Sequence, residues 1–213
     1  MKLFIFAEEW ETEKLRNELN IKNKISLNIN NNYQSLYMYK ENVLLAHSGV
    51  GKSNAASFLS FLIAKYPIDI IINIGPAASI NKREIGEIIE VNKTCFYDVD
   101  LTFLKGYNLG KLPYIETYFE TKNKIDKKEI TLASADQFAF LKHRDFLLTN
   151  FENVEVVDME GASYNLVAQN FNIDFYCYKI VSDNLLSNSN VEYLEAKKIW
   201  ENKIIEVFKK IGN

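Results

Sequence analysis

The 213-residue sequence contains only two cysteines and two histidines. Cys95 and Cys177 stand alone in apolar or aromatic surroundings, so no disulfide framework is indicated and both are expected to be reduced, buried thiols. His47 and His143 are equally isolated, and no group of residues has the spacing of metal ligands. We therefore expect a cytoplasmic protein that uses neither a metal ion nor another cofactor.

Long apolar runs and concentrated positive charge are missing as well. The apolar run in MKLFIFAEEWE is too short for a signal peptide, and no later segment approaches the length needed to cross a bilayer. The formal net charge is −3, and lysine and arginine are scattered along the chain. The sequence therefore predicts neither a membrane protein nor a nucleic-acid-binding protein.

Apolar segments are abundant, because 47% of the residues are hydrophobic. The run IDIIINIG, which ends at Gly75, is typical of a buried strand. Since strand-like segments outnumber helical ones and no linker or repeat is evident, the pattern predicts one α/β domain over residues 1–213 with a mixed sheet. Further strands are predicted at residues 2–6, 25–29, 35–39, 43–47, 87–100 and 175–183. The segment 129–136 is predicted as a strand followed by a turn, and 156–167 as a strand followed by a helix. Helices are predicted at 9–19, 55–65, 140–150 and 191–211.

Acidic residues follow several of the predicted strands. Glu160 comes after EVVDM at a strand-to-helix junction, and Asp183 comes after YCYKIVS. Because an α/β sheet brings strand ends together at one rim, a rim rich in carboxylates suits acid–base chemistry and the binding of a sugar hydroxyl. Glu160 alone also has a simpler interpretation, in which its carboxylate opposes the dipole of the helix that follows.

The loop AHSGVGKSN suggests a different class of protein. It lies between a predicted strand and a predicted helix, and its GKS is similar to a phosphate-binding P-loop. However, Ala46 stands where that pattern needs a glycine, and IDIIINIG is not followed by an aspartate that could hold magnesium. These departures disfavour a nucleoside triphosphatase.

Seven motifs, taken together, point to a more specific family. They occur in the order AEEWETEKL, SGVGKSNAA, INIGPAASI, GEIIEVNKTCFYDVDLT, TLASADQF, VVDMEG and KIVSDN. This set resembles the nucleoside phosphorylase and nucleosidase superfamily, and within it the bacterial 5′-methylthioadenosine/S-adenosylhomocysteine nucleosidases. The match covers nearly the whole chain at nearly the family's spacing. It implies a three-layer fold with a central, mixed, twisted sheet flanked by helices.

The resemblance implies roles for three carboxylates. Glu11 would orient and deprotonate a water that attacks C1′ of a purine nucleoside, and Asp183 would protonate the departing purine toward N7. Glu160 would bind the 2′- and 3′-hydroxyls of the ribose, with Met159 packed beneath the sugar. A carboxylate suits this position because it can accept from two vicinal hydroxyls and stabilise the positive charge that develops on the ring.

The resemblance also implies contacts to the rest of a nucleoside. Val50 and Pro76 would line the sugar and water side of the pocket. Phe138 would stack against the purine, the backbone of Ala139 would read its edge, and Tyr193 would cover it. The ligand expected from this set is a small purine nucleoside.

Several residues depart from the family's pattern. Pro76 replaces a serine or threonine, Glu8 replaces a methionine near the sugar, and Lys179 replaces an arginine near the acid. These changes leave the 5′ group open among methylthio, homocysteinyl, hydroxyl and the carboxylated chain of a futalosine-type nucleoside.

Two other classes of protein stay open, a purine nucleoside phosphorylase that uses phosphate and a non-catalytic nucleoside-binding relative. The loop AEEWETE has four glutamates and no arginine, so it would repel a phosphate ion. We therefore predict that water is the acceptor and that the reaction is hydrolysis.

The segment FLKGYNLGKLPY bears on assembly. In the family the corresponding loop reaches into a neighbouring subunit's site. Here the loop carries Phe103, Leu104 and Tyr107, an apolar group that would be poorly placed in water on a monomer. We therefore expect a homodimer with a two-fold contact.

Overall fold

The computed structural model describes residues 1–29, 31–124, 128–186 and 195–212. These residues contain one 11-stranded mixed sheet with helices on both faces. The strands are β1 (Lys2–Phe6), β2 (Asn23–Lys24), β3 (Ser35–Lys40), β4 (Val43–His47), β5 (Ile70–Ser79), β6 (Ile88–Glu90), β7 (Lys93–Phe96), β8 (Tyr118–Glu120), β9 (Thr131–Ser134), β10 (Val154–Asp158) and β11 (Asp174–Asn184). The helical segments are a 3-10 turn (Glu9–Thr12), α1 (Glu13–Glu18), α2 (Lys52–Lys65), α3 (Leu141–Asn150), α4 (Gly161–Asn170) and α5 (Lys197–Ile211).

The alternation of side chains along β1 explains the three layers. Leu3 and Ile5 are fully buried in a core shared with α2 and α4, whereas Phe4 and Phe6 are fully buried in a second core shared with α1 and α5. Successive strand residues point to opposite faces, so a strand that is covered on both faces must be apolar throughout. The predicted α/β fold with a mixed sheet between helices is confirmed.

Strand β5 changes its neighbour along its length. Its first part, Ile70–Asn73, pairs in parallel with β1, and its end, Ala78–Ser79, pairs in antiparallel fashion with β10. On the other edge, β11 runs parallel to β5 throughout. Between Asn73 and Ala78 the sheet therefore opens on one side of β5, at the place where β1 and β10 end.

The predicted strand at 25–29 is wrong. The regular strand in this region is only Asn23–Lys24, and Ile25 adds one backbone bond, from its N–H to Leu36 O at 2.8 Å. Ile25, Leu27 and Ile29 pack against the sheet's core while partly buried. The alternating apolar pattern therefore reflects a loop that packs on the core and does not continue the strand pairing.

The predicted single strand at 87–100 is wrong as well, because the segment contains two short strands. β6 pairs antiparallel with β11, whereas β7 pairs parallel with β9. The chain crosses between these two parts of the sheet at Val91 and Asn92. The side-chain oxygen of Asn92 accepts from Ile130 N at 2.9 Å, which fixes the crossing.

The helices begin near their predicted positions. α2 starts at Lys52, three residues before the predicted start at residue 55. The last described helix is Lys197–Ile211, and residues 191–194 of the predicted closing helix lie outside the described residues. In the part of the chain that the structure describes, every helix is too short or too polar to cross a membrane.

Candidate active site

A cavity of about 300 Å³ lies where the sheet opens beside β5. It is lined by residues that follow β1, by the second half of β5, and by the ends of β10 and β11. The predicted site residues that line it are Glu11, Val50, Pro76, Phe138, Ala139, Met159, Glu160 and Asp183. The remaining predicted residue, Tyr193, lies outside the described residues.

Glu11 lies on the 3-10 turn directly after β1, and its side chain is buried. Its Oε2 accepts from the backbone N–H of Ala7 at 3.1 Å and of Glu8 at 3.3 Å. Burial raises the pKa of Glu11 to about 7, despite these two donors. A carboxyl group with that pKa can take up and give back a proton near neutral pH, as a general base must.

Glu160 lies between β10 and α4, and Oε1 accepts from the backbone N–H of Gly51 at 2.7 Å. Gly51 has a φ of +94°, which favours glycine, and a Cβ at this position would lie 3.0 Å from Asp136 Oδ1. Burial, together with the charge of Asp158, raises the pKa of Glu160 to about 8. Donors that approach from the cavity, such as a pair of hydroxyls, would favour the ionised form.

Asp158 caps the helix that follows Glu160. Its Oδ2 accepts from Gly161 N at 2.9 Å, and Oδ1 accepts from Glu160 N at 3.3 Å, whereas the Glu160 side chain makes no capping bond. Lys179 Nζ donates to Asp158 Oδ2 at 2.8 Å, with side-chain exposures of 3% and 4%. The hydrogen bonds that cap α4 therefore come from Asp158, and Glu160 lines the cavity.

Lys179 remains charged although it is buried. Burial, the largest single effect, lowers the pKa of its ammonium group, but the charge of Asp158, the hydrogen bond to it and the charge of Glu160 act together with smaller effects and hold the pKa above its ordinary value. This buried cation also lowers the pKa values of Glu11 and Glu160, and so offsets part of the effect of burial on both. The ammonium group of Lys179 thus favours the ionised forms of Glu11 and Glu160, whereas the charge of its partner Asp158 opposes ionisation of Glu160.

Asp183 is buried near the end of β11, and Oδ1 accepts from Ser182 Oγ at 2.6 Å. The cavity wall near the 135–140 loop consists of Gln137, Phe138 and Ala139. The ring of Phe138 is 38% exposed and packs at 5.7 Å between centroids against Phe140. A flat, partly open aromatic surface is suited to stacking against a planar base.

Sequence reasoning missed part of this site. Trp10 and Gln137 also line the cavity, and the contact between Lys179 and Asp158 was not foreseen. The signal for that contact was present, since Lys179 is the one cation in the apolar run FYCYKIV, and a buried lysine requires an acidic partner. Within the described residues no group of His, Cys, Asp and Glu is arranged to hold a metal ion.

The fold and the site define a member of the phosphorylase superfamily, whose family model matches residues 7–211. A 5′-methylthioadenosine/S-adenosylhomocysteine nucleosidase from Buchnera aphidicola subsp. Acyrthosiphon pisum (strain APS) is 33% identical, over 92% of this chain and 90% of the relative. The chain therefore belongs to the family of 5′-methylthioadenosine/S-adenosylhomocysteine nucleosidases, which confirms the resemblance seen in its seven motifs. It is an N-glycosyl hydrolase.

Solved structures have the same fold. A chain from Borrelia burgdorferi, described as such a nucleosidase and bound to adenine, is 28% identical with a TM-score of 0.84, covering 99% of this chain and 100% of the other. Futalosine hydrolase of Helicobacter pylori strain 26695 is 23% identical with a TM-score of 0.82, covering 99% and 98%. At that identity the second likeness concerns the fold alone.

Proposed function

We propose that the cavity binds a 5′-modified adenine nucleoside, such as 5′-methylthioadenosine or S-adenosylhomocysteine, and hydrolyses its N-glycosidic bond. The observation that carries this proposal is the meeting of Glu11, Glu160 and Asp183 around one cavity, each of them buried and each from a different element. Burying three carboxylates is costly and leaves a core weaker than an apolar one. A catalytic requirement accounts for that cost.

The reaction follows from the chemistry of the bond. Adenine is a poor leaving group as an anion, so Asp183 gives it a proton at N7 as the bond from C1′ to N9 breaks. A water oxygen bonds to C1′, and Glu11 takes the proton that this water loses. Glu160 accepts from the 2′- and 3′-hydroxyls and stabilises the cationic character of the ring. The products are adenine and the free pentose.

The charge of the cavity supports water, and not phosphate, as the acceptor. Among the described residues that line it there is no lysine, arginine or histidine, whereas Glu8 and Glu11 lie on its wall. Carboxylates repel a phosphate dianion, which needs cationic donors. Pro76 offers neither a hydroxyl nor a backbone N–H at the position where the family has a serine or threonine. A phosphorylase would lack its usual contacts here.

The test is to follow adenine release from 5′-methylthioadenosine with and without phosphate. The rates should be equal, and the sugar product should be the free pentose. A sugar 1-phosphate, or a rate that rises steeply with added phosphate, would replace the hydrolase with a phosphorylase. No release from any purine nucleoside in a panel with different 5′ groups would instead favour a non-catalytic binding protein.

A further inference from the structure

One buried titratable group, His47 at the end of β4, takes no part in the reaction described above. Its ring is fully buried and does not line the cavity. Nε2 lies 2.7 Å from Thr12 Oγ1, and Nδ1 lies 2.7 Å from Ser35 Oγ. Burial lowers the pKa of His47 to about 3, so the ring is neutral at every pH at which the protein would work. A neutral imidazole with two hydroxyl partners is fully satisfied.

Thr12 connects this ring to the turn that carries Glu11. Its hydroxyl also donates to Glu9 O at 3.3 Å, which closes the 3-10 turn, and accepts from Arg16 Nε at 3.3 Å. Three parts of the chain therefore meet at one hydroxyl: the turn, helix α1 and, through His47, the sheet. Thr12 is itself fully buried, so no water can replace a lost partner without rearrangement.

The turn depends on such contacts for its position. A four-residue 3-10 turn has poor internal hydrogen-bond geometry and little stability of its own. The bonds that Glu11 accepts from Ala7 and Glu8 are local, so they move with the turn and cannot fix it against the sheet. On its outer side the turn is held by Glu9, which pairs with Lys24 at 3.1 Å and with Tyr37. On its buried side, Thr12 hydrogen-bonds to His47 at the end of β4.

We propose that His47 is a positioning residue for Glu11: through Thr12 it holds the 3-10 turn so that the Glu11 carboxylate faces the attacking water. This inference rests on the proposed function, because it assumes that Glu11 activates that water. It adds a residue that touches neither the cavity nor the nucleoside. A displacement of about 1 Å at a reacting group is enough to lower a rate by ~10²-fold.

The test is a double-mutant cycle on turnover. His47→Leu should lower kcat roughly 10-fold to 100-fold, while KM and the affinity for an unreactive adenine nucleoside analogue stay within about threefold, because Glu160 and the purine wall are untouched. In a Glu11→Gln background the same change should cost less than about threefold, since there is no base left to position. Equal losses in both backgrounds, or a KM that rises while kcat is kept, would overturn the proposal.

Two further variants separate positioning from simple destabilisation. Thr12→Val keeps the shape of the side chain but removes the link, so it should reproduce the effect of His47→Leu, whereas Thr12→Ser should keep near-normal kcat. Leu62→Ala destabilises the core from α2, where Leu62 is fully buried, and should leave kcat per folded molecule unchanged. If Thr12→Val, like Leu62→Ala, leaves kcat per folded molecule unchanged, the proposal fails. If Glu11→Gln itself keeps full turnover, the role of Glu11 fails, which is a different result.

Discussion

At the scale of single residues, the partners of a buried carboxylate determine its task. Glu11 and Glu160 are buried and have pKa values raised to about 7 and about 8. Asp158 is equally buried, but its carboxylate forms an ion pair with Lys179 and so has a structural role. Environment, and not residue type, therefore separates the carboxylates proposed to act on a ligand from the one that holds the site together.

The acid assignment is tested by Asp183→Asn. An amide cannot give a proton to the leaving adenine, so turnover should fall at least ~10²-fold, the usual scale for a general acid. The affinity for an unreactive nucleoside analogue should be largely kept, as measured by calorimetry. Near-normal turnover of adenine nucleosides by this variant would remove Asp183 from the mechanism.

Glu11→Gln should make the protein more stable at high pH while abolishing base catalysis. The folded-state pKa of Glu11 lies above its ordinary value of 4.5. The free energy of unfolding of the wild type therefore falls as the pH rises from about 4.5 through about 7. Glutamine resembles the protonated form. At pH 8 the variant should gain about 2–4 kcal/mol in the free energy of unfolding, and below about pH 4.5 the gain should vanish.

Chemical denaturation at pH 8 and at pH 4 measures this difference. Glu13→Gln is the matched control, since Glu13 is exposed in the first turn of α1. A gain that is the same at both pH values, or the same in both variants, would contradict the assigned cause.

Glu8 should influence which 5′ group is accepted. It lines the cavity beside Glu11, where the family has a methionine. Glu8→Gln removes one negative charge and should raise kcat/KM for a nucleoside with a carboxylated 5′ chain by roughly 5-fold to 10-fold, or about 1 kcal/mol. The value for 5′-methylthioadenosine, which has no charge there, should change little. Glu84→Gln, at an exposed position outside the cavity, should alter neither.

At the scale of secondary-structure elements, the site depends on how the segments after β1, β4 and β10 are joined. The backbone N–H of Ser48 donates to Phe6 O at 3.0 Å, and that of Gly49 donates to Ala7 O at 2.8 Å. The start of α2 then reaches Glu160 through Gly51 N. The loop at 48–51, which at first resembles a phosphate-binding loop, therefore connects two of the proposed functional carboxylates by backbone contacts.

Gly51→Ala should weaken nucleoside binding. The change disfavours a φ of +94° and places a Cβ 3.0 Å from Asp136 Oδ1, so the N–H that supports Glu160 should shift. Loss of a hydrogen bond to a charged group predicts a rise in KM of roughly 10-fold or more. Gly86→Ala is the control, because Gly86 has a φ of +88° and does not contact Glu160. Equal effects of both changes on KM would show that backbone strain alone is responsible.

Elements that bury apolar faces were predictable from sequence, and elements fixed by long-range pairing were not. The run IDIIINIG, which forms most of β5, is apolar on both faces, and this pattern is typical of a strand that is buried on both sides. The break at Val91–Asn92 depends on pairing with two distant strands, which no local pattern records. The site residues came from ordered motifs, whereas the contact between Lys179 and Asp158 joins two strands that are not neighbours in the sheet.

At the scale of the whole molecule, one sheet runs through the described residues, which supports our proposal that residues 1–213 are a single domain. Two exposed apolar side chains lie next to each other in one loop. Phe103 is 80% exposed and Leu104 is 42% exposed, and both lie in the loop that follows the DVDLT segment. Such neighbouring exposed apolar side chains favour a contact with another chain.

We propose that the protein forms a homodimer through this loop. Light scattering at micromolar concentration should give a dimer, and Phe103→Ser should shift it toward monomer because the buried apolar area is reduced. Phe171→Ser is the control, since Phe171 is 50% exposed on a different part of the surface. A monomeric wild type would contradict the proposal and would favour a loop that folds back on its own subunit.

The opening of the sheet beside β5 also determines which substitutions the fold can tolerate. Pro76 lies in a buried strand, where a missing N–H would normally break the ladder. Pairing with β1 ends at Asn73 and pairing with β10 begins at Ala78, so on the cavity side Pro76 deprives no neighbouring strand of a donor. A proline can therefore stand at position 76, where the family has a serine or threonine, without removing a hydrogen bond to a strand on the cavity side.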